Sequence, residues 1–170
     1  MDAAILNFIQ NYFHNGFTDS VFPVVTALGN AGTVWLVIGL CLLLTKKYRR
    51  YGIFLFIALA LTYTLGELVI KPIVARPRPF LEIPGHVLLI RPPHSYSLPS
   101  GHAGSSFSAA TVLWRANKKF GAGGYALAVL IAFSRLFLFV HYPSDVLIGA
   151  LVGVFCAFLV GFVFQRFRIL

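Results

Sequence analysis

The sequence predicts an all-α fold: a polytopic bundle of membrane-spanning helices that forms a single domain over residues 1–170. Apolar residues make up 58% of the chain, charged residues make up only 11%, and the mean hydropathy is +0.82. Soluble domains carry about 25% charged residues. A chain of this length also has too much surface for its volume to bury so many apolar side chains. Lipid must therefore serve as part of the solvent, which excludes soluble enzymes, nucleic-acid-binding modules and disulfide-stabilised miniproteins.

Five segments are expected to cross the membrane, because a spanning helix needs about 20 largely apolar residues. In chain order they are residues 21–45, 51–70, 101–114, 121–140 and 146–164. The third is rich in Gly, Ala, Ser and Thr, which let helices approach closely, so it is expected at the centre of the bundle. Residues 3–13 show helical periodicity but are too short to span, which predicts an amphipathic helix in the membrane interface.

Basic residues predict the orientation of the bundle. Nine of the 14 Lys and Arg residues fall at the same end of the predicted spans: Lys46, Lys47, Arg49, Arg50, Arg115, Lys118, Lys119, Arg166 and Arg168. Cytoplasmic loops are rich in such residues, so this end and the C-terminus are expected in the cytoplasm. The net charge of +9 is therefore ascribed to topology and anionic lipid rather than to nucleic acid. The expected location is the cell membrane, with no cleavable signal peptide, and Cys41 and Cys156 lie in apolar runs that predict no disulfide.

Three polar blocks are expected at the opposite, extracytoplasmic end. Residues 71–79 close the second span, residues 99–102 open the third, and residues 134–145 join the fourth and fifth. If the helices bundle, these blocks bring together three cations, two histidines, one carboxylate and one helix N-terminus. Those groups supply what phosphoryl transfer needs: charge stabilisation, a nucleophile and a proton carrier. The sequence has no carboxylate cluster suited to a metal, so neither a metal nor another cofactor is expected.

The three blocks resemble the signature of the type 2 phosphatidic acid phosphatase (PAP2) superfamily, which is K-x6-RP, then PSGH, then SR-x5-H-x3-D. The matching residues are Lys71, Arg78, Pro79, Pro99, Ser100, Gly101, His102, Ser134, Arg135, His141 and Asp145. The resemblance implies a six-helix membrane core. Five spans and one short N-terminal helix are counted here, so the role of residues 1–20 is open. Within the superfamily the chain most resembles bacterial enzymes of the phosphatidylglycerophosphatase B type.

The resemblance also implies a role for each matching side chain. His141 is the nucleophile that forms a phosphohistidine, Asp145 orients it, and His102 is the general acid and then the general base. The groups implied to bind the phosphate oxygens are Lys71, Arg78, Arg135, Ser100 and Gly101. The implied reaction is metal-independent hydrolysis of a phosphomonoester lipid such as phosphatidylglycerophosphate. Undecaprenyl diphosphate, or another prenyl or diacylglycerol pyrophosphate, is the alternative substrate.

Other interpretations of these residues stay open. His141 and Asp145 on their own fit an interfacial histidine and a helix-capping carboxylate, and Arg135 could pair with Asp145 for structure alone. A phosphate-binding transporter without catalysis is a distant alternative, against which the sequence shows no inverted repeat. A serine protease is disfavoured, because Ser100 lies two residues before His102 and is better placed to cap the helix than to attack.

The remaining charged residues and histidines are expected to have structural or surface roles. Glu67 lies four residues before Lys71 and is expected to pair with it on the helix. Arg76 and Arg91 fall outside the signature, so contact with solvent or lipid headgroups is expected for both. Surface positions are expected for His14, His86 and His94. A proline-rich loop, residues 81–98, is expected to cover the pocket. The expected partners are the lipid substrate and membrane lipids, with no obligate protein partner.

Overall fold

The computed structural model describes residues 1–83 and 85–167, and within those residues the chain is helical without β-strands. In chain order the helices are α1 (Asp2–Tyr12), α2 (Gly16–Leu28), α3 (Thr33–Leu44), α4 (Arg49–Tyr63), α5 (Lys71–Val74), α6 (Pro79–Glu82), α7 (Gly101–Ala116), α8 (Lys118–Phe137) and α9 (Pro143–Arg166). A 3-10 turn, Asn30–Gly32, connects α2 to α3, and a π-helical segment, Thr64–Ile70, connects α4 to α5. The prediction of an all-α fold is confirmed.

Three helical stretches of the described chain are long and apolar enough to cross a membrane: Arg49–Glu82, Lys118–Phe137 and Pro143–Arg166. They correspond to the predicted second, fourth and fifth spans. α7 is shorter, with 16 residues, and is about 24 Å long at 1.5 Å per residue. It packs against α4, α8 and α9 and buries mostly small side chains. The predicted central position of this helix is therefore confirmed.

The predicted first span, residues 21–45, is not one continuous helix, although Gly16–Leu28 and Asn30–Leu44 together are long and apolar enough to cross a membrane as a bent pair. α2 and α3 are bent by 48° relative to each other across the turn between them. Ala31 and Gly32 in this turn have φ angles of 49° and 69°, and such left-handed residues end a right-handed helix. α2 also begins earlier than predicted, because the Asn15 side chain accepts hydrogen bonds from backbone N–H groups of its first turn.

The predicted amphipathic N-terminal helix is present as α1. It buries Leu6 and Ile9, and most of its other side chains are exposed. The two buried side chains pack against residues 137–142, where α8 ends and the loop to α9 begins. The Gln10 amide donates a hydrogen bond to the Phe137 carbonyl oxygen at 2.8 Å. α1 therefore covers the end of the bundle that carries the third polar block.

Helices α7 and α9 meet through their backbones near the start of each helix. A Cβ atom added to Gly149 would lie 2.4 Å from the carbonyl oxygen of Ser100, and one added to Gly153 would lie 2.1 Å from that of Gly104. Only glycine permits so close an approach. The backbone N–H of Ser100 also donates a hydrogen bond to the Asp145 carbonyl oxygen at 3.0 Å. The second and third polar blocks are therefore in direct contact.

The opposite end of the bundle gathers the basic residues. The Arg115 guanidinium at the end of α7 lies 5.4 Å from the ring of Phe158 in α9. The ring of Tyr48, just before α4, lies 5.5 Å from the ring of Phe120 in α8. These contacts bring together the basic segments before α4, between α7 and α8, and at the end of α9, as the charge pattern predicts. Arg168 lies outside the described residues, and the side of the membrane that this end faces stays a prediction.

Candidate active site

A cavity of about 590 Å³ lies at the end of the bundle opposite to the basic residues. Its walls combine apolar side chains of α3 and α4 with polar groups from all three blocks. The predicted site residues that line it are Lys71, Arg78, Ser100, Gly101, His102, Arg135 and His141. Asp145 lies behind His141 and is fully buried. The structure thus brings all eight predicted residues together, and their chemical roles stay predictions.

His141 lies in the loop between α8 and α9, with only 2% of its surface exposed. Its Nε2 atom is 3.2 Å from Nη1 of Arg78. Its Nδ1 atom faces Oγ of Ser97 at 3.5 Å and Oδ2 of Asp145 at 3.6 Å. Burial lowers the pKa of His141, an effect that Asp145 opposes and Arg78 reinforces. The imidazole is therefore neutral at neutral pH and keeps the lone pair that a nucleophile needs.

Asp145 is held from three directions. Its Oδ2 atom accepts hydrogen bonds from the Ser97 hydroxyl at 2.5 Å and from the Tyr142 backbone N–H at 2.8 Å. Its Oδ1 atom accepts one from Nη1 of Arg76 at 2.7 Å. A carboxylate fixed in this way can orient the imidazole of His141 and stabilise the positive charge that the ring acquires when it reacts.

Sequence reasoning missed Ser97 and was wrong about Arg76. Ser97 is fully buried, although it belongs to the loop expected only to cover the pocket, and its closeness to the PSGH block is the one signal in the sequence. Arg76 does not simply contact solvent or headgroups, because its guanidinium pairs with the buried Asp145. The structural pairing of Arg135 with Asp145, which the sequence left open, is replaced by this pair.

Lys71 is buried, and its ammonium group lies 2.6 and 2.7 Å from the two carboxylate oxygens of Glu67. The predicted ion pair is therefore confirmed. The Glu67 carboxylate also lies against the start of α7, since a Cβ atom on Gly101 would be 2.5 Å from its Oε1 atom. A phosphate group in the cavity therefore has to compete with Glu67 for the ammonium group of Lys71.

The two arginines of the cavity are held in different ways. Arg78 donates hydrogen bonds to the backbone carbonyl oxygens of Ser95 and Val140, both at 2.7 Å, so the loop fixes its orientation. Arg135 donates to the Thr26 hydroxyl at 2.5 Å, while its buried Nε has no hydrogen-bond partner in the part of the chain that the structure describes. A buried donor left unpaired costs about 1–3 kcal/mol. A phosphate oxygen that accepted this hydrogen bond would remove that cost.

His102 lies in the first turn of α7, where the Ser100 hydroxyl accepts a hydrogen bond from the Ala103 N–H at 3.4 Å and caps the helix. The remaining N–H groups at such a helix start favour an anion. The Nε2 atom of His102 lies 3.1 Å from Oδ1 of Asn30, in the turn between α2 and α3. Sequence reasoning missed Asn30 and Thr26, because both lie in the segment predicted to be one continuous span.

The other expectations near the site have mixed outcomes. The loop of residues 81–98 contributes Pro93 and Ser95 to the cavity wall, as expected. His94 is exposed as expected, but His14 and His86 are half-buried. The centre of each imidazole lies 4.0 Å from the centre of a phenylalanine ring, stacked for His14 and tilted for His86. Among the described residues, no three His, Cys, Asp or Glu side chains form a group that could hold a metal ion. The expectation of metal-independent chemistry stays a prediction.

The fold and the cavity together define a class: multi-pass membrane helix bundles that gather cations and histidines in a cavity at one end. The chain belongs to the PAP2 superfamily, because the model of that superfamily matches residues 50–168. The predicted superfamily is therefore confirmed. The closer resemblance to the phosphatidylglycerophosphatase B type stays a prediction.

Individual relatives agree with this assignment. The chain is 39% identical over 127 residues to the undecaprenyl-diphosphatase of Sulfolobus acidocaldarius, a match that covers 74% of this chain and 61% of that protein. The chain therefore spans less than two thirds of that relative's length. Its structure is similar to that of LpxE from Aquifex aeolicus, with a TM-score of 0.83, 29% identity and coverage of 94% and 93% of the two chains.

A second solved structure shares the fold at lower identity. It is the transmembrane PAP2-type phosphatidylglycerolphosphate phosphatase of Bacillus subtilis, with a TM-score of 0.78 and 23% identity. The match covers 97% of this chain and 85% of that one. The predicted multi-pass membrane architecture agrees with these matches.

Proposed function

We propose that this protein is a phosphatase of membrane lipids that works through a phosphohistidine on His141 and needs no metal ion. One observation carries the proposal: two imidazoles, three cations and the start of α7 surround a single cavity. The charge and proton transfer that phosphoryl transfer requires are thus available within that cavity. The relative named as an undecaprenyl-diphosphatase supports the same reaction type.

In the first step, Nε2 of His141 attacks phosphorus and the bond from phosphorus to the lipid oxygen breaks. His102 donates a proton to the departing oxygen. Arg78 lies 3.2 Å from the attacking nitrogen and binds the non-bridging oxygens together with Arg135, since planar guanidinium groups match paired phosphate oxygens. Asp145 balances the positive charge that the imidazole acquires.

In the second step, water attacks the phosphohistidine while His102 accepts a proton from that water. The bond between nitrogen and phosphorus breaks, His141 returns to its neutral form, and inorganic phosphate leaves. Positioned acid–base groups of this kind contribute about 10²–10⁴-fold to a rate. The same imidazole therefore serves both half-reactions, first as an acid and then as a base.

The apolar wall of the cavity supports a lipid substrate. Leu36 of α3 and Phe56, Leu59 and Tyr63 of α4 line the cavity beside its polar end. The phosphate binds among the cations while the hydrocarbon chain lies along this wall, because burial of apolar surface is favourable. The positive-inside rule supports a site on the extracytoplasmic side of the cell membrane.

Two substrate classes are candidates. Phosphatidylglycerophosphate is supported by the sequence resemblance to the phosphatidylglycerophosphatase B type. Undecaprenyl diphosphate is supported by the 39% identical relative whose name states that activity. Both offer an anionic group for the cations and a long apolar chain for the wall of α3 and α4.

A substrate panel on the purified protein in detergent micelles tests the proposal. Phosphatidylglycerophosphate, phosphatidic acid and undecaprenyl diphosphate are each assayed for phosphate release, with and without EDTA. We expect release that EDTA does not reduce, and the lipid with the highest kcat/KM identifies the substrate class. Complete loss in EDTA with recovery in magnesium would overturn the metal-independent mechanism. Lipid binding without release from any of the three would favour the transporter instead.

A further inference from the structure

We propose that Arg76 is a positioning residue for the nucleophile. Asp2 supports Arg76 in this role, so the N-terminal helix α1 contributes a side chain to the support of the site. The inference rests on the proposed function, since it concerns the support of His141. Arg76 and Asp2 are not among the residues that line the cavity. They therefore act through Asp145 rather than on the substrate.

The guanidinium group of Arg76 donates hydrogen bonds to two carboxylates. Its Nη1 atom donates hydrogen bonds to Oδ1 of Asp145 and to the Ser144 hydroxyl, both at 2.7 Å, and its Nη2 atom donates to Oδ2 of Asp2 at 3.0 Å. The guanidinium also lies 3.9 Å from the centre of the Tyr142 ring. A planar guanidinium holds two acceptors in a fixed relative position, which the single ammonium group of a lysine does not. Arg76 is therefore the group that fixes Oδ1 of Asp145, while Ser97 and the Tyr142 N–H hold Oδ2.

The backbone of Arg76 fixes the second group that faces the nucleophile. Its carbonyl oxygen accepts a hydrogen bond from the Ser97 N–H at 2.8 Å. The Ser97 hydroxyl in turn lies 2.5 Å from Asp145 and 3.5 Å from Nδ1 of His141. One residue thus holds Asp145 by its side chain and Ser97 by its main chain.

Charge balance gives Asp2 its role. Asp145 is fully buried, and a buried carboxylate needs a counter-charge. While His141 is neutral, Arg76 supplies that charge at 2.7 Å. When His141 becomes positive on bonding to phosphorus, Asp145 balances His141 instead. Asp2 then balances Arg76, so the four groups change from a net charge of −1 before the attack to zero after it, and each positive group keeps a carboxylate partner.

Helix α1 holds Asp2 in place. Asp2 accepts hydrogen bonds from the backbone N–H and the hydroxyl of Ser144. Burial would raise the pKa of Asp2, but the hydrogen bonds from Ser144 and Arg76 outweigh it and lower the pKa. Apolar side chains of α1 pack against residues 137–142, which include His141. α1 therefore docks on the loop of the nucleophile and supplies a carboxylate to its network.

The test compares Arg76→Gln, Arg76→Lys and Asp2→Asn with two matched controls, Arg91→Gln and Asp19→Asn. Arg91 is an exposed arginine of the same face, and Asp19 is an acidic residue in the first turn of α2 instead of α1. We expect kcat to fall about 10–100-fold in Arg76→Gln with little change in KM, because misplacement of a reacting group by about 1 Å costs roughly that much. The kcat of Arg76→Lys should lie between those of Arg76→Gln and wild type. Asp2→Asn should lose about twofold to fivefold, and the controls should stay near wild type.

The pH profile separates positioning from a merely structural role. Loss of the positive charge in Arg76→Gln raises the pKa of His141, so the acid limb of kcat/KM moves to higher pH. Loss of the negative charge in Asp2→Asn leaves Arg76 less compensated, so the same limb moves to lower pH. The charged or titratable groups that face His141 are otherwise unchanged between the variants: Arg78, Arg135, Asp145 and His102. Shifts of opposite sign are the signature of this network.

The outcomes separate this inference from the proposed function. The inference alone would be overturned if the wild type hydrolyses a lipid, the kcat of Arg76→Gln stays within twofold of the wild-type value, and the acid limbs of both variants do not move. If the wild type hydrolyses none of the lipids, the proposed function fails, and NMR titration of His141 in micelles still decides whether the two variants shift its pKa in opposite directions. If Arg76→Gln does not fold, the fall in kcat of Arg76→Lys and the shift of the acid limb in Asp2→Asn test the inference.

Discussion

The two histidines of the cavity have different surroundings. His141 is almost completely buried, in a loop where its neighbours are the buried groups Arg78, Ser97 and Asp145. His102 is half-buried in the first turn of α7 and lies next to Asn30 in the turn between α2 and α3. A nucleophile needs one orientation, whereas a general acid has to reach leaving groups that differ between lipids. In the proposed mechanism, the buried polar network would therefore fix the attacking atom of His141 and leave His102, as the proton donor, more freedom.

The largest effect on activity is expected for His141, the buried histidine. His141→Ala removes the attacking nitrogen, so kcat on the best lipid of the panel should fall by at least about 10³-fold. Phosphate release from micelles measures this, with His94→Ala, an exposed histidine, as the matched control. Activity within tenfold of wild type would show that His141 is not the nucleophile. The functional contrast between the two histidines would then be wrong.

The effect of replacing His102, the half-buried histidine, should depend on the leaving group of the substrate. His102→Ala removes the proton donor, which we expect to cost about 10²–10⁴-fold with a lipid substrate. With 4-nitrophenyl phosphate the loss should be smaller, because its departing oxygen needs little protonation. Equal losses on both substrates would contradict the general-acid role and leave His102 as a phosphate-binding group.

Ser97→Ala probes how firmly the buried side is fixed. The serine donates a hydrogen bond to the charged Asp145 at 2.5 Å, and such bonds are worth about 1.5–3 kcal/mol. We expect kcat to fall about 10–100-fold with KM nearly constant. Ser108→Ala is the control, since Ser108 is also buried but has no hydrogen-bond partner for its hydroxyl among residues 1–83 and 85–167. Equal behaviour of the two variants would mean that Ser97 does not support the site.

Asn30→Ala is the corresponding change next to His102. It removes one neutral contact to His102, which is worth about 1 kcal/mol, so a loss of about fivefold in kcat/KM is expected. Asn11→Ala, at an exposed position of α1, controls for loss of an asparagine. A loss as large as that of Ser97→Ala would show that both imidazoles are held equally firmly.

The smallest effect is expected in stability. Burial lowers the pKa of His141, so below about pH 6.5 the unfolded chain binds more protons than the folded one. The free energy of unfolding therefore decreases as the pH is lowered, by at most about 1.4 kcal/mol per pH unit. The midpoint of thermal unfolding in micelles should therefore drop more for wild type than for His141→Gln between about pH 7 and 5. Equal drops would show that His141 is not buried as the neutral imidazole.

The sequence allowed the framework of the fold and of the site to be predicted for physical reasons. Hydropathy identifies long apolar helices, and the small residues of residues 101–114 identify the helix that neighbours must approach closely. The site residues lie where helices begin or end, so that the order of spans brings Lys71, His102 and His141 to one end. The ion pair of Lys71 with Glu67 followed from helical spacing alone.

The missed features depend on geometry that composition does not carry. The turn Asn30–Gly32 depends on backbone angles of two residues, while the apolar side chains around it still resemble one long span. Arg76 looked unimportant because its partners, Asp2 and Asp145, are distant in sequence and only the docking of α1 brings them together. Ser97 lies in a loop whose composition predicts exposure, although its side chain is fully buried.

The backbone contact between α7 and α9 restricts how this scaffold can diverge. No side chain separates α7 from α9 at Gly149 and Gly153, so any larger residue there would push the two helices apart, and the spacing between the α7 amides and His141 cannot be adjusted in small steps. The facing wall, by contrast, consists of replaceable side chains such as Leu36, Phe56 and Leu59. New lipid preferences are therefore expected to evolve, or to be selected in the laboratory, on that wall while the reaction itself is inherited unchanged.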